Sequence, residues 1–144
     1  MLTKIQYDIL VSCYFEPELF YFPFAQVNYG GQVFPTSYRG KAKESQIEDA
    51  RKYKITVPPE VVVENIIELI GMKMMRCWSI SEPSYKREEI TTPTFQDFEQ
   101  YDGYDLLRWD QHIEKFDYGP HEFKISQKGR AEIDKDIYSN YRGS

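Results

Sequence analysis

The chain has 144 residues, of which 41% are hydrophobic, and it carries a net charge of −5. A chain of this length most simply forms one domain, residues 1–144, whose core needs neither disulfides nor a structural metal. No window approaches the ~20 apolar residues of a membrane helix, and residues 1–5 lack the basic and apolar regions of a signal peptide. We therefore expect a cytoplasmic protein with no membrane partner.

The first 15 residues predict a half-buried helix, because apolar side chains nearly encircle it. Cys13 continues the apolar stripe formed by Ile5 and Ile9, and Cys77 stands between Arg76 and a tryptophan. The two cysteines are far apart in the chain. Because the chain contains only these two, reduced and packed thiols are favoured over a disulfide.

The segment from residue 14 to residue 38 is rich in aromatic side chains. It contains nine of them: Tyr14, Phe15, Phe20, Tyr21, Phe22, Phe24, Tyr29, Phe34 and Tyr38. Three prolines prevent a long helix here, and the sequence Asn28-Tyr29-Gly30-Gly31 predicts a turn between short strands at 24–27 and 32–34.

These aromatic residues have two interpretations. Tyrosine offers a large contact area at little cost in rotamer entropy, which predicts a partner-binding surface at Tyr21, Tyr29 and Tyr38. The alternative is that the rings close a small core, as we expect of Phe15, Phe22 and Phe34.

Two helices are predicted between residues 45 and 71. A capping box at 45–48 begins the first, and Pro58-Pro59 suits the first turn of the second, which Gly71 ends. In this last helix Glu60, Glu64 and Glu68 recur every four residues and share one face. The opposite face predicts core positions at Val62, Ile66, Leu69 and Ile70.

The remaining elements alternate between sheet and helix. Residues 72–80 predict a strand, residues 81–100 a loop or irregular wing, and Asp102 or Asp105 can cap a helix that runs to about residue 116. Residues 122–125 alternate like a strand, and Ser126 then caps a final helix. Its shared face is predicted to hold Ile133, Ile137 and Tyr141.

Two stretches resemble the winged-helix superfamily. Residues 46–75 resemble its second helix, turn, third helix and first wing strand, and residues 123–133 resemble its closing strand and helix. In that closing motif, Ser126-Gln127-Lys128-Gly129-Arg130, the strand delivers a hydroxyl cap and the glycine lets the helix approach the sheet. The resemblance implies an α+β fold with a winged-helix-like three-helix core and a small antiparallel sheet. It also implies an aromatic-rich insertion at about 16–42 and a second insertion at about 81–120, with an extra helix in the wing.

The third helix argues against the usual function of that superfamily. DNA binds through Lys and Arg side chains that release its counterions, whereas this helix presents three glutamates and no base. Nucleic acid therefore remains the alternative partner, bound through the wing and a basic patch between residues 39 and 54. The residues of that patch are Arg39, Lys41, Lys43, Arg51, Lys52 and Lys54.

The charge is unevenly distributed along the chain. The basic patch has a local charge of +3, whereas residues 88–122 contain ten acids against Arg108 and Lys115, a local charge of −8. This acidic segment would repel nucleic acid and steer a basic partner. The alternative for both segments is ordinary solvated surface.

The sequence offers no motif for catalysis or for a cofactor. It lacks a glycine-rich phosphate loop and a nucleophile elbow, and Asp110 and His112 are two apart on a predicted helix, too divergent to chelate one ion. His121, predicted in a turn beside Glu122, adds no metal-ligand spacing. We expect no enzyme, no cofactor and no metal; a third hypothesis, an enzyme using the carboxylate-rich segment, is the least favoured.

The leading hypothesis is a non-enzymatic interaction protein that binds a protein partner, and the acidic segment favours a basic one. A small acidic inhibitor or immunity-type protein would fit, and a homo-oligomer is compatible with it. A winged-helix transcriptional regulator is the alternative. The predicted partner-binding residues are Tyr21, Tyr29, Tyr38, Asp102, Asp105 and Asp110.

Overall fold

A computed structural model describes residues 1–30, 56–81, 84–104 and 119–142 as a mixture of helices and antiparallel sheet. The α+β class predicted from the sequence is therefore confirmed. The described helices are α1 (Lys4–Ser12), α2 (Tyr21–Tyr29), α3 (Pro59–Gly71) and α4 (Gln127–Ile133), with 3₁₀ helices η1 (Phe95–Tyr101) and η2 (Asp136–Tyr138). The strands are β1 (Glu18–Leu19), β2 (Met75–Ser81), β3 (Lys86–Ile90) and β4 (His121–Ile125).

The four strands form one sheet in the order β1-β4-β2-β3, and every neighbouring pair is antiparallel. One face of this sheet is buried, since Met75 and Cys77 of β2 and Phe123 and Ile125 of β4 all lie in the core. Helices α1, α2 and α3 contribute to the same hydrophobic cluster. None of the helices in the described parts of the chain is long and apolar enough to cross a bilayer.

Helix α1 confirms the predicted opening helix. Thr3 caps it: the Gln6 backbone N–H donates to Thr3 Oγ1 over 3.2 Å, and the Thr3 N–H donates to Gln6 Oε1 over 3.1 Å. This reciprocal pair satisfies two N–H groups that a helix start leaves without partners. Ile9 and Leu10 are fully buried.

Helix α2 replaces the strand predicted at residues 24–27, which is wrong. Pro23 stands in the first turn, where a missing N–H breaks no intrahelical hydrogen bond. Phe20 and Phe24 lie four residues apart and both are fully buried, so the apolar spacing is helical. Gly30 then ends the helix in the left-handed conformation, with φ of 60°.

Two aromatic residues have the reverse of their predicted burial. Tyr21, expected at a partner-binding surface, has no exposed surface and is a core residue. Phe15, expected in the core, is 90% exposed and contacts the Tyr14 ring at a centroid distance of 5.0 Å. The helical phase of α2 turns Tyr21 inward, whereas Phe15 falls in the connection between α1 and β1.

Helix α3 begins at the second proline and has the predicted faces. Its inward positions are buried, with Val62 and Leu69 at 0% exposure and Ile66 at 1%, and its glutamates are exposed. The following strand starts later than predicted, at Met75. Lys73 has a positive φ of 65°, and the chain turns there before β2 begins.

Strand β3 lies within residues 81–100, which the sequence predicts as a loop or an irregular wing, and the loop alternative is wrong for Lys86–Ile90. It pairs with β2 in the register from Cys77↔Ile90 to Ser81↔Lys86. The sequence Lys-Arg-Glu-Glu lacks the alternating apolar residues of a half-buried strand, because β3 is at the edge of the sheet, where charged side chains are common. Its pairing with β2, rather than its composition, makes it a strand.

Strand β4 and helix α4 confirm the predicted strand and serine cap. Ser126 Oγ accepts the Gly129 N–H over 3.0 Å and donates to the Lys73 carbonyl over 2.6 Å, which joins the helix start to the turn before β2. A Cβ at Gly129 would collide with the Met74 carbonyl oxygen. The predicted role of this glycine in close approach is thus confirmed.

The predicted face of the final helix is wrong at Ile137, whereas Ile133 is buried and Tyr141 packs partly buried against the core. Helix α4 ends at Ile133, and the 3₁₀ helix η2 changes the phase. As a result Ile137 is 52% exposed, while Tyr138 is fully buried.

Cys13 and Cys77 are free and buried, as predicted for packed thiols. Several predictions fall outside the described residues: the capping-box helix at 45–48 and beyond, the strand at 32–34, Phe34, and the helix up to residue 116.

Candidate functional site

A cleft of about 490 Å³ lies between helix α3 and the 3₁₀ helix η1. Its buried walls are Val63, Phe98 and Tyr101, and Phe95, 57% exposed, lies at its edge. Three exposed carboxylates complete its lining: Glu60, Glu99 and Asp102. We call this site the acidic cleft.

Local sequence explains where η1 begins and which of its side chains face solvent. The Asp97 carboxylate accepts the Thr94 N–H over 2.8 Å, so a capping box starts the helix. Phe98 and Tyr101, three residues apart, bury their rings on one side, which leaves Glu99 exposed. Capping and burial together place the acidic side chains of η1 toward solvent.

The Tyr101 wall of the cleft is held from three sides. Its ring stacks on Phe20 with centroids 3.8 Å apart, and its hydroxyl lies 2.8 Å from Nδ1 of His121. A Cβ at Gly119, whose φ is 108°, would overlap the same ring. Burial raises the pKa of Tyr101 well above its ordinary value, so the phenol keeps its proton. The wall is therefore packed and fixed.

The electrostatic character of the acidic cleft is negative. Among the described residues no lysine, arginine or histidine lines it. Glu64 and Glu68 are exposed on the same helical stripe as Glu60, so the acidic surface extends along α3 away from the cleft. A cation that approaches this side of the molecule meets negative charge on both α3 and η1.

Two kinds of titratable group outside the cleft bear on nucleophilic and metal chemistry in the described ranges: the cysteine thiols and the possible metal ligands. Burial raises the pKa of the Cys13 thiol to about 12 and also raises the pKa of Cys77, so neither is a ready thiolate. Across residues 1–30, 56–81, 84–104 and 119–142, no group of three or more His, Cys, Asp or Glu side chains could hold a metal ion. His121, predicted in a turn, instead begins β4 and is 4% exposed.

The open face of the sheet carries a second cluster of charged side chains. Two arginines lie over the Trp78 ring: the Arg76 Cζ is 4.8 Å from the ring centroid, and the Arg87 Cζ is 4.5 Å from it. Arg76 also donates two hydrogen bonds to Glu89, over 2.9 and 2.8 Å, and Arg87 donates one to Glu122 over 2.8 Å. Each cation of this cluster is therefore paired with a carboxylate.

The structure places few of the predicted binding residues in this site. Asp102 is exposed and lines the acidic cleft, Tyr21 is in the core, and Tyr29 is the last residue of α2. The remaining predicted binding residues lie outside the described residues: Tyr38, Asp105, Asp110, Arg39, Lys41, Lys43, Arg51, Lys52 and Lys54.

The acidic cleft is not predicted from the sequence, although the sequence contains two signals for it. The glutamate stripe of α3 was recognised, and Thr94 followed three residues later by Asp97 is a helix-start pattern. The aromatic residue at the cleft edge, Phe95, gave no signal, since its exposure depends on how η1 packs.

Comparison with known proteins gives no assignment: no family model, no curated protein and no solved structure matches this chain.

Proposed function

We propose that this protein is a non-enzymatic interaction protein that binds a basic protein partner at the acidic cleft. The single observation that carries the proposal is the composition of this cleft: exposed carboxylates on α3 and η1 around an apolar wall. Apolar contact with charged groups around it is the usual anatomy of a protein interface. A small acidic inhibitor or immunity-type protein is the class that fits best.

We further propose a winged-helix-like scaffold for this function. The chain order supports it: α3 leads into β2, β2 pairs with the closing strand β4, and β4 leads through the Ser126 cap into α4. On this scaffold the third helix presents glutamates where a DNA-binding protein needs cations. A protein partner therefore fits the exposed charges better than a duplex does.

The alternative, a nucleic-acid-binding regulator, rests on the basic patch at 39–54 and on the wing. Within the described part of the wing, Lys86 forms an ion pair with Glu88 over 3.1 Å and Arg87 one with Glu122 over 2.8 Å. Each pair is close to neutral overall, so it offers a phosphate little net positive charge.

We therefore expect a random duplex to bind weakly or not at all near physiological salt. Submicromolar binding, abolished by Arg51→Glu with Lys54→Glu, would favour the regulator.

Affinity capture with matched charge variants tests the proposed function. The baits are the wild type, a cleft variant (Glu99→Lys with Asp102→Lys) and a control (Glu88→Lys with Asp136→Lys) that changes the net charge equally outside the cleft. After nuclease treatment, we expect the wild type and the control to retain a basic protein that the cleft variant loses.

The captured protein must then bind directly when purified. We expect the cleft variant to associate at least about tenfold more slowly than the control at low salt, because like charges repel a basic partner during encounter. Circular dichroism checks that each variant is folded. Capture that nuclease abolishes, or equal association of the two variants, would contradict the proposal.

A further inference from the structure

We infer that the acidic cleft receives an arginine side chain of the basic partner and prefers arginine to lysine. This inference rests on the proposed function, since it specifies which cation of a basic partner enters the cleft.

The chemistry of such a contact is visible elsewhere in the same molecule. On the open sheet face an arginine, an aromatic ring and a carboxylate occur together twice, as Arg76 with Trp78 and Glu89, and as Arg87 with Trp78 and Glu122. In both, the guanidinium lies over the ring while its N–H groups bond the carboxylate. Arginine thereby gains a cation–π contact and a charge-assisted hydrogen bond at the same time.

The acidic cleft contains two of those three components. Phe95 is an exposed ring that lines it, and two exposed carboxylates lie near in the chain: Glu99 within η1 and Asp102 directly after it. The missing component is the cation, because within the described residues no arginine or lysine lines the cleft. Charge complementarity thus points to a cation, which in the proposed function the basic partner supplies.

Arginine suits this lining better than lysine for three reasons. Its planar guanidinium stacks on a ring, its fork of donors can bond carboxylates on two elements, and it loses hydration more easily than an ammonium. The cleft carboxylates come from different helices, Glu60 from α3 and Glu99 from η1, and a donor with several N–H directions suits such a lining better than a compact ammonium does. The apolar wall at Val63 and Phe98 can pack against the methylene stem.

Titration with three blocked tripeptides tests the inference: Gly-Arg-Gly, Gly-Lys-Gly and Gly-citrulline-Gly, the last being neutral and similar in shape to arginine. The full chain is followed by the backbone amide resonances of Phe95, Glu99 and Asp102. We expect the arginine peptide to bind about two- to fivefold more tightly than the lysine peptide, which is the effect of a cation–π contact at an exposed site. The citrulline peptide should cause no saturable shift.

Three variants separate the contributions of ring and charge. Phe95→Leu keeps apolar bulk but removes the ring face, so the preference for arginine over lysine should shrink to what the forked donors and the weaker hydration supply. Glu99→Gln with Asp102→Asn should abolish saturable binding of both. Glu64→Gln removes a charge from the same acidic surface outside the cleft, and it should leave the preference for arginine unchanged.

The outcomes distinguish this inference from the proposed function. Equal binding of arginine and lysine to the wild type, or an arginine preference that Phe95→Leu leaves undiminished, overturns the inference while the basic partner can still bind at the cleft. Absence of peptide binding overturns it as well. The proposed function fails separately, if the Glu99→Lys and Asp102→Lys variant binds the purified partner as the control does.

Discussion

Replacing Ile66 with alanine should lower the free energy of unfolding by about 2–5 kcal/mol, which is typical of large-to-small changes in a core. Ile66 is 1% exposed and lies in the middle of α3, between Val62 and Leu69 on the inward face. The change removes buried methyl and methylene groups and leaves a cavity that close-packed neighbours fill only in part. Urea denaturation followed by circular dichroism measures the loss.

The matched control is Ile137→Ala, the same chemical change at a side chain that is 52% exposed. We expect it to cost less than about 1 kcal/mol, as surface substitutions do. If Ile66→Ala costs no more than this control, α3 does not present the face to the core that its periodicity and burial indicate.

Acidification should destabilise the protein between about pH 6.5 and pH 4 through His121. Burial lowers the pKa of His121 from 6.5 to about 4 in the folded protein, so below pH 6.5 the unfolded chain takes up a proton that the folded chain resists. The stability contributed by the neutral ring is complete above pH 6.5 and is lost as the pH falls through 4. The loss is about 3 kcal/mol, from the difference between the two pKa values.

A second group acts in the opposite direction over an overlapping range. Burial, followed by the charge of Glu16, raises the pKa of Glu18 from 4.5 to about 7. Its contribution to stability is complete below pH 4.5 and is lost as the pH rises through 7. The two effects must therefore be separated by variants rather than read from the wild type alone.

Denaturation of the wild type, His121→Gln and Glu18→Gln at a series of pH values makes this separation. The difference between wild type and His121→Gln should change by about 3 kcal/mol between pH 6.5 and pH 4. In Glu18→Gln the decline in stability on acidification should steepen, because the opposing contribution is gone. A His121→Gln variant whose pH dependence parallels that of the wild type would show that the buried ring does not resist protonation.

The sequence determined those elements whose signals are local. In α3 the buried residues recur at helical spacing, and Pro58 and Pro59 mark its start, so its existence and its two faces could be predicted. The turn from β4 into α4 was equally local, since Ser126 caps the helix and Gly129 permits close approach within four residues of chain. Such signals act over one or two turns, where the backbone itself sets the spacing.

Tertiary structure decided the elements whose partners are distant in the chain. Strand β3 is highly charged and exists through pairing with β2. The phase of α2, which buries Tyr21, depends on packing that its single proline and its aromatic residues do not reveal. The acidic cleft depends on the same long-range packing, because it forms only where η1 folds against α3 and brings Glu99 and Asp102 to Glu60. Composition indicated an acidic protein, for which a basic partner is our proposal. The position of the acidic cleft depends on contacts between residues that are far apart in the chain, and local propensity does not encode those contacts.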